Sequence, residues 1–176
     1  MRRFLLVLLL MTSLSLPALA ASPARPPELE GKIAATAPYG AGSFSKMLLH
    51  VYDAALWTDA KTWSADTTYA LEIRYAMNFS TSSLVDRSIS EMERSGKMSA
   101  DEKSLYYKDL AARFHDVKSG DIITALYVPK KGGYFYYNGK PQGTVMDAAR
   151  MQRFLGIWLG AQTSEPELRA KLLAKN

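Results

Sequence analysis

Residues 128–143 read VPKKGGYFYYNGKPQG. Four aromatics, residues 134–137, stand between a Gly-Gly pair and an Asn-Gly pair. Asn-Gly is a tight-turn dipeptide because both residues tolerate the positive φ of a two-residue hairpin turn. PKKGG, residues 129–133, supplies a glycine-bearing connection on the other side. The aromatics are therefore read as a strand with a hairpin at each end. Tyr134 and Tyr136 fall on one face, Phe135 and Tyr137 on the other. Aromatic side chains suit a pleated, half-buried surface, so strand packing explains them without a ligand. The stretch predicts the middle strand of an antiparallel meander.

Outward from it, residues 121–128 alternate, with Ile122, Thr124, Leu126 and Val128 opposing Ile123, Ala125 and Tyr127. Residues 69–77 do the same, with Tyr69, Leu71, Ile73, Tyr75 and Met77 on the apolar side. Residues 44–57, FSKMLLHVYDAALW, are mostly apolar and suit one long or bent strand buried on both faces, although period alone leaves a helix open. Two helices separate these segments. Residues 80–83 offer N-caps to a stripe of Leu84, Val85, Ile89 and Met92, and Gly96 ends that helix. Ser99 and Glu102 have capping-box spacing, and Leu105, Tyr106, Leu110 and Phe114 form the inward face that follows. His115 lies at its carboxyl end.

Downstream, Asp147 caps a helix bearing Met151, Phe154, Leu155, Trp158 and Leu159, and Gly160 stops it. Ser164, with Glu167 three residues on, starts a last helix that buries Leu168, Leu172 and Leu173. The sum is an α+β domain with antiparallel strands in series and helices on one side of the sheet.

The first twenty residues carry Arg2 and Arg3, an apolar middle and Ala18-Leu19-Ala20, the pattern of a secretory signal peptide cleaved after Ala20. Thr12, Ser13, Ser15 and Pro17 break the apolar run short of the roughly 20 residues a bilayer span needs. The chain is thus expected in the periplasm, without stable membrane insertion once the leader is removed. Residues 21–32 contain Pro23, Pro26 and Pro27 and are expected to form a poorly ordered lead-in. Residues 33–176 then form a single domain. The chain has no cysteine, and its length allows one core to do without disulfides. Its net charge of +5, which loss of Arg2 and Arg3 reduces to +3, is scattered, so no nucleic-acid partner is implied.

Little in the chain is equipped for bond-making chemistry. His50 and His115 lack partners at ligand spacing, so no metal is expected, and nothing calls for a cofactor. No Gly-x-Ser-x-Gly elbow is present, and Gly132, Gly133 and Gly139 lack the following helix that holds a phosphate. Arg74 reads as a solvated or salt-bridged strand residue, and Trp57, Trp63 and Trp158 as core anchors.

Three segments in order, HVYDAALW (50–57), VKSGDIITALYVPKKGGYFYYNGKPQG (117–143) and FLGIWLGAQTSEPELRAKLL (154–173), resemble the bacterial chalcone isomerase-like proteins. The similarity runs over residues 39–173. It implies an open-faced β-sandwich, a large antiparallel sheet with helices layered over one face and a ligand cleft between them. In the plant enzymes of that family the cleft closes a chalcone to a flavanone; in fold relatives without catalysis it holds a fatty acid. The plant enzymes carry an arginine just before the strand matching residues 44–57, and a threonine within it. Here residues 42–45 hold no arginine and the nearest cation is Lys46, while Tyr52 takes the threonine position, as in the fatty-acid-binding relatives. The plant tyrosine and asparagine of the first helix fall near Ser80 and Arg87. Lysine does not reproduce a guanidinium fork, so these departures weigh against chalcone closure.

The resemblance thus implies a periplasmic, non-catalytic protein binding a small amphiphile such as a fatty acid or aromatic acid. Tyr52 would donate to the ligand, Lys46 or Arg87 would balance an acidic head group, and Ser80 would lie beside them. The alternatives are an isomerase or lyase acting on a phenolic or enone substrate, and an envelope scaffold that binds a protein partner. Fold alone does not choose among them.

Overall fold

The computed structural model describes residues 23–174; the expected leader, residues 1–20, lies outside them. Six strands follow one another in a single antiparallel sheet in the order β1-β2-β3-β4-β5-β6. They are β1 (Gly40–Lys46), β2 (Leu49–Trp57), β3 (Tyr69–Tyr75), β4 (Ile122–Val128), β5 (Gly132–Tyr137) and β6 (Lys140–Met146). Helices α1 (Thr81–Met92) and α2 (Ala100–Ala111) are inserted between β3 and β4, and α3 (Ala148–Leu159) and α4 (Pro166–Leu172) follow β6. This is the open α+β architecture expected.

Sheet parity sorts the core into two layers. Tyr52 and Ala54 of β2, Leu71 and Ile73 of β3, Ile123 of β4 and Phe135 of β5 face the helices and join Met151, Phe154 and Leu155 of α3. The opposite parity, Ala55 and Trp57 of β2, Ala70 of β3, Leu126 of β4 and Tyr136 of β5, builds a smaller core on the far face. The four aromatics of β5 divide as period two requires. Phe135 packs edge-on against Phe154 and Tyr137 donates to Asp121 on the helical side, while Tyr134 and Tyr136 join the far core.

The lead-in differs from its expectation. Residues 23–32 are not a loose tether: Pro27–Leu29 form a 3-10 turn, Leu29 is fully buried, and Arg25 donates to the carbonyl of Ile33. The prolines fix an extended approach, and Leu29 and Ile33 then cover the apolar side of β2 and β4 that would otherwise face water.

Residues 44–57 also differ, forming the end of one strand and the whole of the next. Lys46 pairs with Leu49 across a two-residue turn in which Met47 has φ 49° and Leu48 φ 67°. Both angles belong to the turn type that favours Asn-Gly, and a non-glycine residue there costs about 1–2 kcal/mol. Met-Leu carries no turn chemistry, which is why the sequence reads as unbroken. A bulge follows, since Phe44 pairs with Tyr52 but Ser45 with His50.

Most helix signals hold. The Ser99–Glu102 capping box is complete, and Asp147 accepts from the backbone amides of Ala149 and Arg150. The start of α4 is an exception. Its N-cap is Glu165, without a side-chain bond, and Pro166 in the first turn sets the helical φ.

Candidate functional site

Between the sheet and α1 and α3 lies a cavity of about 560 Å³. Its floor is apolar and buried, formed by Leu71 and Ile73 of β3, Ile123 and Ala125 of β4, and Phe114 and Phe154 from the helical side. Its exposed lining residues, Lys46, Met47 and Leu49 from the β1–β2 hairpin and Ser83 and Arg87 from α1, mark the mouth. That volume falls within the roughly 300–1,000 Å³ of small-molecule sites, which are apolar with a few placed polar groups.

The bulge in β2 shapes this wall. On a regular strand adjacent residues face opposite sides of the sheet. Here Leu49, Val51 and Tyr52 all line the cavity. The register shift after Phe44 leaves Val51 as the extra residue and turns it inward beside Tyr52, which keeps the regular parity of Ala54.

Tyr52 is the polar centre of the site. Its oxygen accepts a hydrogen bond from Trp158 Nε1 at 3.0 Å, so its own proton stays free to donate. Burial pushes the phenol up to about 12, opposed by the Trp158 bond and raised further by Glu165 nearby. The group is therefore a neutral donor, not a phenolate, at any physiological pH. Tyr75 also lines the cavity, its ring centre 6.3 Å from that of Tyr52, and its phenol makes no side-chain hydrogen bond among the described residues. Burial drives its phenol upward as well.

Two cations and two carboxylates complete the lining. Arg87 Nη2 lies 2.7 Å from Glu91 Oε1, an ion pair one helical turn apart on α1. The Glu91 side chain is buried to within 9% of its area, whereas that of Arg87 is 57% exposed, so the guanidinium sits at the rim and the carboxylate beneath it. Glu165 enters from the connection between α3 and α4, and Lys46, at the mouth, has no ion-pair partner among the described residues.

The structure thus brings Tyr52, Lys46 and Arg87 to one cavity. Ser80 is elsewhere: it is the N-cap of α1, accepting from the Ser83 amide and bonded to the Ser83 hydroxyl at 2.8 Å, and Ser83 is the residue of that cap that reaches the cavity. Arg74 faces the other side of the sheet, 3.2 Å from the buried Glu72. His50 is exposed and bonded to Asp53 at 3.0 Å. Three lining residues, Trp158, Glu91 and Glu165, were not singled out as site residues from sequence. Trp158 has the helical spacing of a core residue, and nothing local distinguishes an indole that anchors a core from one that also holds a phenol. Glu91 stands one turn from Arg87, a spacing that signals an ordinary surface pair. Among the described residues no group of three or more His, Asp or Glu is placed to hold a metal ion.

The chain is similar to known proteins in sequence and in fold. A protein of Haemophilus influenzae described as uncharacterized is 27% identical over 139 residues, covering 78% of this chain and 68% of that one. The crystal structure of a fatty-acid binding protein of Arabidopsis thaliana superposes with a TM-score of 0.56, covering 78% of this chain and 86% of that one at 12% identity, a likeness of fold. The family model described as chalcone isomerase-like matches residues 38–174, which span all six strands and four helices, and the chain belongs to the chalcone isomerase-like family.

Proposed function

We propose that this chain is an exported, non-catalytic binding protein that takes a small amphiphile, a fatty acid or an aromatic acid, into the cavity between sheet and helices. The observation that carries the reading is the free Tyr52 proton at the polar end of an apolar space of about 560 Å³. The apolar body of the ligand lies over Leu71, Ile73 and Phe154, and its head accepts from Tyr52. Arg87 and Lys46 supply positive charge near that head, and the fold likeness to a fatty-acid binding protein supports the same ligand class.

The charge balance argues against an isomerase. Closing a chalcone requires a substrate phenolate, which an unopposed cation would favour. Arg87 is already held by Glu91, Glu165 adds a second carboxylate beside Tyr52, and Lys46, unpaired among the described residues, stands at the exposed mouth on a flexible side chain. A chain with the leader of residues 1–20 would meet its ligand outside the cytoplasm.

The test is mass spectrometry of small molecules extracted from the protein purified natively from a periplasmic fraction, joined to titration with a fluorescent fatty acid. A bound amphiphile and saturable probe binding are expected. An empty protein that binds no member of a fatty-acid and aromatic-acid panel overturns the reading, and recovery from the cytoplasm with its leader intact overturns the export.

A further inference from the structure

The β1–β2 turn places Met47, 88% exposed, Leu48, 102% exposed, and Leu49, 58% exposed, in one consecutive apolar tip. The backbone does not ask for them. Both turn residues have positive φ, a geometry that Asn-Gly would serve without strain and with full solvation. A strained turn that presents large apolar side chains to water is an outlier from which a role can be inferred.

The tip is continuous with the cavity. Met47 and Leu49 line its mouth, and so does Lys46 on the flank of the turn. The lining therefore runs from that tip at the mouth to the apolar floor of Leu71, Ile73 and Phe154. We propose that the β1–β2 tip docks the protein reversibly on a phospholipid bilayer, Leu48 and Met47 entering the interface and Lys46 resting among anionic headgroups, so that ligand passes between bilayer and cavity.

Two arguments select a bilayer as the occupant. The tip is a convex hairpin end of three side chains, a fraction of the ~800 Å² per partner that a stable protein interface needs. An interfacial bilayer site demands no complementary shape and accepts apolar side chains flanked by lysine. Among the described residues no helix is long and apolar enough to cross a membrane. The transfer role rests on the binding function proposed above; the docking does not.

The experiment is flotation of the purified chain with vesicles of phosphatidylcholine alone and of phosphatidylethanolamine with phosphatidylglycerol. The wild-type chain is expected to float with both and more with the anionic set. Leu48→Gly, which removes the exposed side chain and suits its φ, is expected to keep or raise the melting temperature while the bound fraction falls at least threefold. Leu48→Glu is expected to abolish flotation with anionic vesicles. Absence of flotation by the wild-type chain, or equal flotation by Leu48→Glu, overturns the docking; so does a wild-type dimer that Leu48→Gly converts to monomer with no change at vesicles. Fluorescent fatty-acid titration in vesicle-free buffer keeps the two readings apart. Probe binding without flotation sinks the docking alone, and flotation without probe binding sinks the ligand reading alone.

Discussion

Trp158 Nε1 donates to the Tyr52 oxygen at 3.0 Å across 106 residues of sequence. The bond ties α3 to β2 at the cavity wall and fixes the phenol with its proton unspent. A tyrosine already accepting from the protein is set to donate to a ligand, and its raised pKa keeps it a donor.

Replacing the phenol tests that role. Tyr52→Phe is expected to weaken binding of a fluorescent fatty acid about tenfold, the size of one hydrogen bond to a charged group. The fold should be little changed, because the ring remains, though the indole loses its acceptor. Displacement titration beside a thermal melt checks this, and unchanged affinity would remove Tyr52 from the site.

Glu91 and Arg87 give a prediction of opposite sign. Glu91 holds the guanidinium that an acidic head group would use, at 2.7 Å. Glu91→Gln releases it and should tighten binding of a fatty carboxylate by several-fold. The matching fatty alcohol should bind as before. If the alcohol gains as much as the acid, the effect is one of packing and not of charge.

Glu72 sets a pH dependence on the far face. It is 4% exposed, accepts from Trp57 Nε1 at 3.1 Å, and is held above its ordinary value of 4.5 mainly by burial. A carboxyl raised in the folded state binds its proton more tightly there than in the unfolded chain. Its favourable contribution is therefore complete below the unfolded value and disappears as pH rises through the folded one. Glu72→Gln keeps an acceptor for Trp57 without the charge. Urea midpoints measured from acid to neutral pH should fall less with rising pH in the variant. Parallel curves would assign the dependence to other groups.

Gly40 tests how α4 closes the sheet edge. A Cβ there would collide with the Leu172 carbonyl oxygen, a backbone atom with nowhere to go. Gly40→Ala is expected to lift α4 from β1 and cost about 1–3 kcal/mol, the range of overpacking. Because α4 itself lines none of the cavity and only the Glu165 carboxylate at its head does, fatty-acid affinity should be kept or rise. Denaturant unfolding and the probe titration read the two effects separately.

The meander, the helical insert, the capping box at Ser99 and the cap at Asp147 were legible because each depends on neighbours within a few residues. Period two, capping offsets and Asn-Gly act locally, so the chain states them outright. The break at Met47-Leu48 was hidden, since a turn made of two apolar residues has no local signature and is held by the pairing of Lys46 with Leu49. Tyr52 was named as a site residue by resemblance and faces inward by its parity with Ala54, but the bulge that brings Val51 in beside it is a property of two strands together. The same holds for Trp158 and Glu165, which reach the phenol from α3 and the loop after it. Sequence by itself determined most of the elements and their order, the β1–β2 turn excepted; tertiary structure decided that turn and which side chains share a cavity. The reason is that hydrogen bonds and burial between distant segments are settled only when the sheet and helices close on one another.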